Sequence, residues 1–153
     1  MTTQRTSYLK RVGWLLLLCL LMPVGSMAKS FYAVSQDGQL LTFYYDDNKS
    51  SRPGTVYTSR NEWSNVKESV TTVAFDYSVR DYRPTSCSTW FDDFAKLRSV
   101  QGLSNLNTSE VTSMSSMFYR SGIKSIDLGN NFDTSNATDL SSMFAGTENL
   151  YEL

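Results

Sequence analysis

Leu106-Asn-Thr-Ser-Glu-Val-Thr-Ser-Met-Ser-Ser-Met-Phe118 and Phe132-Asp-Thr-Ser-Asn-Ala-Thr-Asp-Leu-Ser-Ser-Met-Phe144 are two copies of one motif, 26 residues apart. Thr108/Thr134, Ser109/Ser135, Thr112/Thr138, Ser115/Ser141, Ser116/Ser142, Met117/Met143 and Phe118/Phe144 are identical, and Val111/Ala137 and Met114/Leu140 are apolar in both. Seven identities at one offset mark an internal repeat. The second half of each unit has its own apolar rhythm, Ile123-x-x-Ile126-x-Leu128, which resumes at Leu150-x-x-Leu153. A degenerate earlier unit runs from Trp90-Phe91 through Leu97, Val100, Leu103 and Leu106. A period of this length with this rhythm points to a leucine-rich-repeat solenoid.

The spacing within a unit predicts its parts. Val111, Met114 and Met117/Phe118 lie three to four residues apart, which places them on one face of a short helix, with Thr108 or Ser109 as its cap. Ile126 and Leu128 alternate, as in a short strand. One strand and one helical turn cannot bury their apolar faces alone, so units must stack into a shared core. The expected repeat core is Val111, Met114, Met117, Phe118, Ile123, Ile126, Leu128, Leu140, Met143, Phe144 and Leu150. The repeated Thr and Ser then form rows whose hydroxyls can bond neighbouring turns. The last unit reads as cut short after Leu150 and Leu153, which predicts an uncapped end prone to self-association.

Upstream, the pattern is that of strands. Phe31-Tyr-Ala-Val34 precedes the turn dipeptide Asp37-Gly38, and Leu40-Leu-Thr-Phe-Tyr-Tyr45 follows it. A polar loop closes on Pro53-Gly54, and Thr55-Val-Tyr57 and Val70-Thr-Thr-Val-Ala-Phe75 resume the extended character. These segments suggest an antiparallel hairpin or meander, while Arg60 to Ser69 fits either a short helix or a packed loop. The expected fold is therefore α+β: a β-rich region over 29–86 and a short leucine-rich-repeat solenoid over 87–153, with a short strand and a short helix per repeat.

Residues 1–28 read as a secretory signal peptide. Arg5, Lys10 and Arg11 precede an 11-residue apolar run, Val12 to Met22, and Ser26-Met27-Ala28 supplies the small residues of a cleavage site after Ala28. The run is well short of the roughly 20 residues that span a bilayer. A lipidated Cys19 is disfavoured by the bulky Leu18 before it. The remaining chain carries 11 basic and 15 acidic residues, a net charge of −4, with no basic run to hold nucleic acid. It has no His and one cysteine, Cys87, so neither a thiol–imidazole pair nor an intramolecular disulfide can form in it.

The repeats resemble those of the BspA-like leucine-rich-repeat surface proteins of bacteria. Asn107 to Phe118 and Asp133 to Phe144 carry the likeness, together with Leu41-Thr-Phe-Tyr-Tyr-Asp46, Gly54-Thr-Val-Tyr57, Val73-Ala-Phe-Asp76 and Arg83-Pro-Thr-Ser86 before Trp90-Phe91. The resemblance implies an exported protein, secreted or at the cell surface, that adheres to a host or neighbouring-cell protein or glycan.

The chemistry-bearing groups are few. Asp46-Asp47 and Asp92-Asp93 are the adjacent carboxylate pairs, and each fits a turn or a first helical turn better than an acid–base pair or an oxygen-only calcium site. Asn48-Lys-Ser, Asn107-Thr-Ser and Asn136-Ala-Thr fit turn and cap chemistry better than glycosylation. No catalytic residue, cofactor or metal site is expected. Tyr44, Tyr45, Tyr57, Tyr77 and Tyr82 form the candidate binding surface, because tyrosine offers a large amphipathic contact at low entropy cost. Strand alternation should send about half of such tyrosines into the core. The leading functional expectation is a non-enzymatic binding module. The alternatives are a truncated fragment without activity and an accessory domain of a carbohydrate-active protein.

Overall fold

The structure, a computed structural model, describes residues 28–153. The signal sequence and Cys19 therefore lie outside the described residues, apart from Ala28. Five strands form one mixed sheet: β1 (Ser30–Ser35), β2 (Leu40–Asp46), β3 (Thr55–Tyr57), β4 (Thr72–Phe75) and β5 (Ser99–Gln101), in the order β3-β1-β2-β4-β5. β1 pairs antiparallel with β2 and with β3, whereas β2–β4 and β4–β5 are parallel. The single α-helix among the described residues, α1 (Arg60–Trp63), continues into a 3-10 turn at Ser64–Val66.

The Asp37-Gly38 turn forms as the sequence suggests. The Asp37 carboxylate accepts the N–H groups of Gln39 (2.8 Å) and Leu40 (3.0 Å), and Gly38 takes a positive φ of 74°. The antiparallel hairpin forms and β3 joins β1 antiparallel, but the pattern stops at β4, which enters parallel to β2 (Thr42 beside Ala74). Alternation reveals a strand but not its direction, and here the long connection through α1 carries the chain back to the starting end.

The expected solenoid with a strand and a helix in every repeat is overturned. Val111 to Phe118 is not helical, and in place of a strand around Ile126 there is only an isolated bridge, Ser125 with Glu152. The segments after Ser86 are instead rungs of tight turns laid on one another. Their first bridges are parallel, Ser86 to Ser113 and Ser113 to Asp139. The N–H groups of Cys87, Thr89, Phe91 and Asp93 donate to the carbonyls of Ser113, Ser115, Met117 and Tyr119 at 2.8–3.0 Å. Those of Met114, Ser116, Phe118 and Arg120 donate to Asp139, Ser141, Met143 and Ala145 at 2.8–2.9 Å. An amide committed to the next rung cannot also bond its own i−4 carbonyl, so the helix gives way.

Side chains explain the choice. Ser115 N–H donates to Ser113 Oγ (3.4 Å), and Ser141 N–H to Asp139 Oδ1 (3.0 Å). Asn107 and Asp133 accept the N–H two residues on in the same way, at 3.0 and 2.8 Å. Such local bonds compete with helix and fold the backbone into turns. Left-handed residues recur at matching places, Thr89/Ser116/Ser142 and Asp93/Arg120/Gly146. Threonines add a ladder: Thr112 Oγ1 donates to the Thr85 carbonyl (3.2 Å) and Thr138 Oγ1 to that of Thr112 (3.1 Å).

One core runs through sheet and rungs. On its inner side Phe31, Phe43 and Phe75 meet Trp63, Trp90 and Phe91. Phe91, Phe118 and Phe144 then stack along the rungs with centroids 5.4 and 5.5 Å apart. Val111, Met114, Met117, Phe118, Ile123, Ile126 and Met143 are buried, and Leu128, Phe144 and Leu150 are packed against them. Leu140 departs from its expected role and is 44% exposed, because among the described residues no rung lies over it. The buried end of the rungs is closed by α1 and its side chains. Trp63 Nε1 donates to the Trp90 carbonyl (3.1 Å), Arg60 Nε donates to that of Thr89 (2.9 Å), and the Arg60 guanidinium pairs with Asp92. Among the described residues no helix is long and apolar enough to cross a membrane.

Candidate binding surface

The pleat sends alternate residues of β1 and β2 to opposite sides of the sheet. Phe31, Ala33, Leu41, Phe43 and Tyr45 share the side of the core, and Tyr32, Val34, Leu40, Thr42 and Tyr44 share the outer face. Tyr32 and Tyr44 are direct cross-strand partners, and their rings stack at 5.5 Å. The loop after β2 returns across this face through Arg52. Its guanidinium lies 3.5 Å from the Tyr44 ring centroid, its Nε donates to Tyr32 Oη (2.7 Å), and its Nη2 donates to Asp46 Oδ2 (2.5 Å). Tyr32 Oη in turn donates to Asp46 Oδ1 (2.5 Å).

This four-residue cluster is held electrostatically. Burial pushes the Tyr32 phenol up, the hydrogen bond to Asp46 adds to it, and the hydroxyl reaches a pKa of about 12 despite the opposing Arg52 charge. Burial also works against the Asp46 carboxylate. Hydrogen bonds from Tyr32, the Asn48 N–H and Arg52, with the Arg52 charge, outweigh it and hold the carboxyl below its ordinary value. Arg52 and Tyr44 are thereby fixed in place, which lowers the entropy lost when a ligand docks on them. Beside them is a shallow concavity of about 160 Å³ lined by Val34, Gln36, Asp37, Leu40, Thr42 and Tyr44.

The five tyrosines singled out in the sequence do not form one surface. Tyr44 belongs to the outer face. Tyr45 points the other way and packs on Tyr82 (5.2 Å), which stacks on Phe31 (4.1 Å). Burial raises the Tyr82 phenol pKa. Tyr57 packs against the core. Tyr77 is 64% exposed at a separate place, with the Arg80 guanidinium 4.4 Å from its ring. Thr42 and Arg52 were missed as site residues, and Tyr32, the cross-strand neighbour of Tyr44, is fully buried. The signal was present in the hairpin: two tyrosines of equal parity about a tight turn must share a face.

The remaining polar groups hold the fold. Asp92 pairs with Arg60, and Asp93 lies 3.6 Å from Lys67. Neither sits in a helical turn, and Asp93 takes a φ of 60°. Cys87 is fully buried, and burial raises its thiol to a pKa of about 12. Among the described residues no three Asp, Glu or Cys side chains gather as a metal site.

Residues 85–152, the rungs, match the domain family described as Mycoplasma protein of unknown function, DUF285. That family is associated with BspA-like repeat proteins, although no BspA or leucine-rich-repeat model matches directly. The match spans less than half of the chain and leaves out β1–β4 and the outer face. No curated protein and no solved structure matches the chain.

Proposed function

We propose that this chain is an exported bacterial protein, secreted or held at the cell surface, that acts as a non-enzymatic binding module. Its contact surface is the outer face of the sheet around Tyr44, and its partner is a protein or glycan of a host or neighbouring cell. The observation that carries this reading is the Tyr44–Arg52 pair, a cation over an aromatic ring at 3.5 Å beside an open concavity. A rigid aromatic with an adjacent cation is typical of binding hot spots. The carboxylates Asp46, Asp92 and Asp93 and the Cys87 thiol support the non-enzymatic part, since they are spent on ion pairs or buried. Export rests on the basic, apolar and small-residue pattern of residues 1–28.

The test is binding of the labelled full chain to intact cells and to a glycan array, with Thr42→Arg and Tyr77→Ala as variants. Thr42 borders the concavity and is half-buried, so an arginine there obstructs the face without entering the core. Binding should fall at least tenfold for Thr42→Arg and be unchanged for Tyr77→Ala. Binding that Thr42→Arg leaves intact would remove the outer face from the account.

A further inference from the structure

The concavity beside Tyr44 carries charge of one sign. Of the residues that line it, Val34, Gln36, Asp37, Leu40, Thr42 and Tyr44, Asp37 is the one that is charged at neutral pH. The nearby Arg52 charge is offset by Asp46, with Nη2 at 2.5 Å from Oδ2. The Leu40 and Gln39 N–H groups hold the Asp37 carboxyl below its ordinary value, so it stays ionised. Both of those bonds go to Oδ1, at 3.0 and 2.8 Å, and Oδ2 accepts no hydrogen bond among the described residues. One carboxylate oxygen is therefore left for a ligand.

The rest of the lining narrows the choice of cation. Val34 and Leu40 give the concavity an apolar wall, and Leu40 is 41% exposed there. An apolar wall beside a single free carboxylate oxygen matches a long aliphatic stem that ends in an ammonium. A guanidinium fits less well, because its planar fork binds both oxygens of a carboxylate and Oδ1 is already committed to two amides. An amino sugar would press hydroxyls against Val34 and Leu40, where they lose water without gaining partners. Charge over the whole chain points the same way. Residues 29–153 hold 11 basic and 15 acidic side chains, a net charge of −4 that draws in a cationic partner.

We infer that this concavity receives a lysine side chain of a partner protein. The stem lies on Val34 and Leu40, the ammonium donates to Asp37 Oδ2, and Gln36 and Thr42 offer its other donors further acceptors. The inference names the partner chemistry of the outer face, and so rests on the reading of that face as the contact surface. It gives Asp37 two separable roles. Oδ1 holds the turn into β2, and Oδ2 recognises the partner. Asparagine keeps the first and loses the charge, and it is favoured in turns of this kind.

The experiment follows the backbone amide resonances of the isotope-labelled chain during titration with Nα-acetyl-lysine-N-methylamide. The norleucine counterpart, which lacks the ammonium, and the arginine counterpart are the controls. Saturable shifts at the Gln39, Leu40 and Thr42 amides are expected with the lysine compound, and weaker binding with both controls. Asp37→Asn should weaken the lysine compound about fivefold, the upper range for a solvent-exposed ion pair, and leave the norleucine compound unchanged. A circular dichroism melt verifies that the variant keeps its fold. Absence of saturable shifts, equal binding of either control, or insensitivity to Asp37→Asn would each overturn the inference. Asp37→Asn should also weaken binding to intact cells. Cell binding lost in Thr42→Arg but unchanged in Asp37→Asn would overturn the lysine and keep the outer face; cell binding that neither variant alters would overturn the face, and the lysine with it.

Discussion

Replacing Phe118 by Ala tests the register of the rungs residue by residue. Phe118 is fully buried and lies between two rings, Phe91 at 5.4 Å and Phe144 at 5.5 Å. Burial of the ring accounts for about 1.5–3 kcal/mol. Each aromatic contact adds about 0.5–1.5 kcal/mol. Together these bracket the range of about 3–5 kcal/mol measured for emptying phenylalanine sites in cores. Relaxation is restricted, because the Phe118 amide and its neighbours are bonded to the next rung and cannot close on the void (Phe118 N–H to Met143 O, 2.9 Å). Phe144→Ala is the internal standard. It removes one ring contact from a half-buried site, so a loss of about 1–2 kcal/mol is expected. Urea unfolding by near-ultraviolet circular dichroism, with unchanged m-values, would read both. A loss for Phe118→Ala below about 1 kcal/mol, or equal losses at the two sites, would refute the stacking order.

Two pH responses follow from the shifted groups. Cys87 has a thiol raised from 9.0 to about 12 by burial, so the folded state prefers it protonated. Stability is full below the ordinary thiol pKa and is lost as pH rises from there toward 12; native protein at pH 8 should resist a thiol reagent that labels it fully in urea, and rapid native labelling would contradict this. At the acid end, Asp46 has a depressed pKa, so its contribution is present above the ordinary carboxylate value and is lost as pH falls through the folded one. Arg52→Ala should cost about 1.5–3 kcal/mol, the range for a hydrogen bond to a charged group, and move the acid unfolding limb to higher pH; an unmoved limb would mean that the pair contributes nothing.

The 26-residue offset was legible because a stack demands the same side chain at the same depth in each rung, as Phe118 and Phe144 show. The β1–β2 hairpin was legible because Asp37-Gly38 supplies both a carboxylate cap and a positive φ. The helix at Val111–Phe118 was misread for a physical reason. Apolar residues three and four apart also arise when tight turns point every third or fourth side chain inward, and only the destination of the amides separates the two cases. The serines at 113 and 115 were the available hint, since they favour local turns over helix. The capping role of Arg60 and Trp63 had no sequence signal, because both contacts lie about 30 residues away on the first rung. The tyrosine surface was half legible: Tyr44 and Tyr45 are adjacent in one strand, so parity alone places them on opposite faces.

Amide hydrogen exchange resolved by residue tests the central claim most directly, namely that the amides of each rung bond to the next rung, while those of Leu140, Ser142 and Gly146 have no acceptor among the described residues. The amides of Phe91, Phe118 and Arg120, bonded across rungs at 2.8–2.9 Å, should exchange slowly, by global unfolding or near it. Those of Leu140, Ser142 and Gly146 should exchange at close to unprotected rates. Equal protection in all three rungs, or rapid exchange at Phe118, would contradict the account.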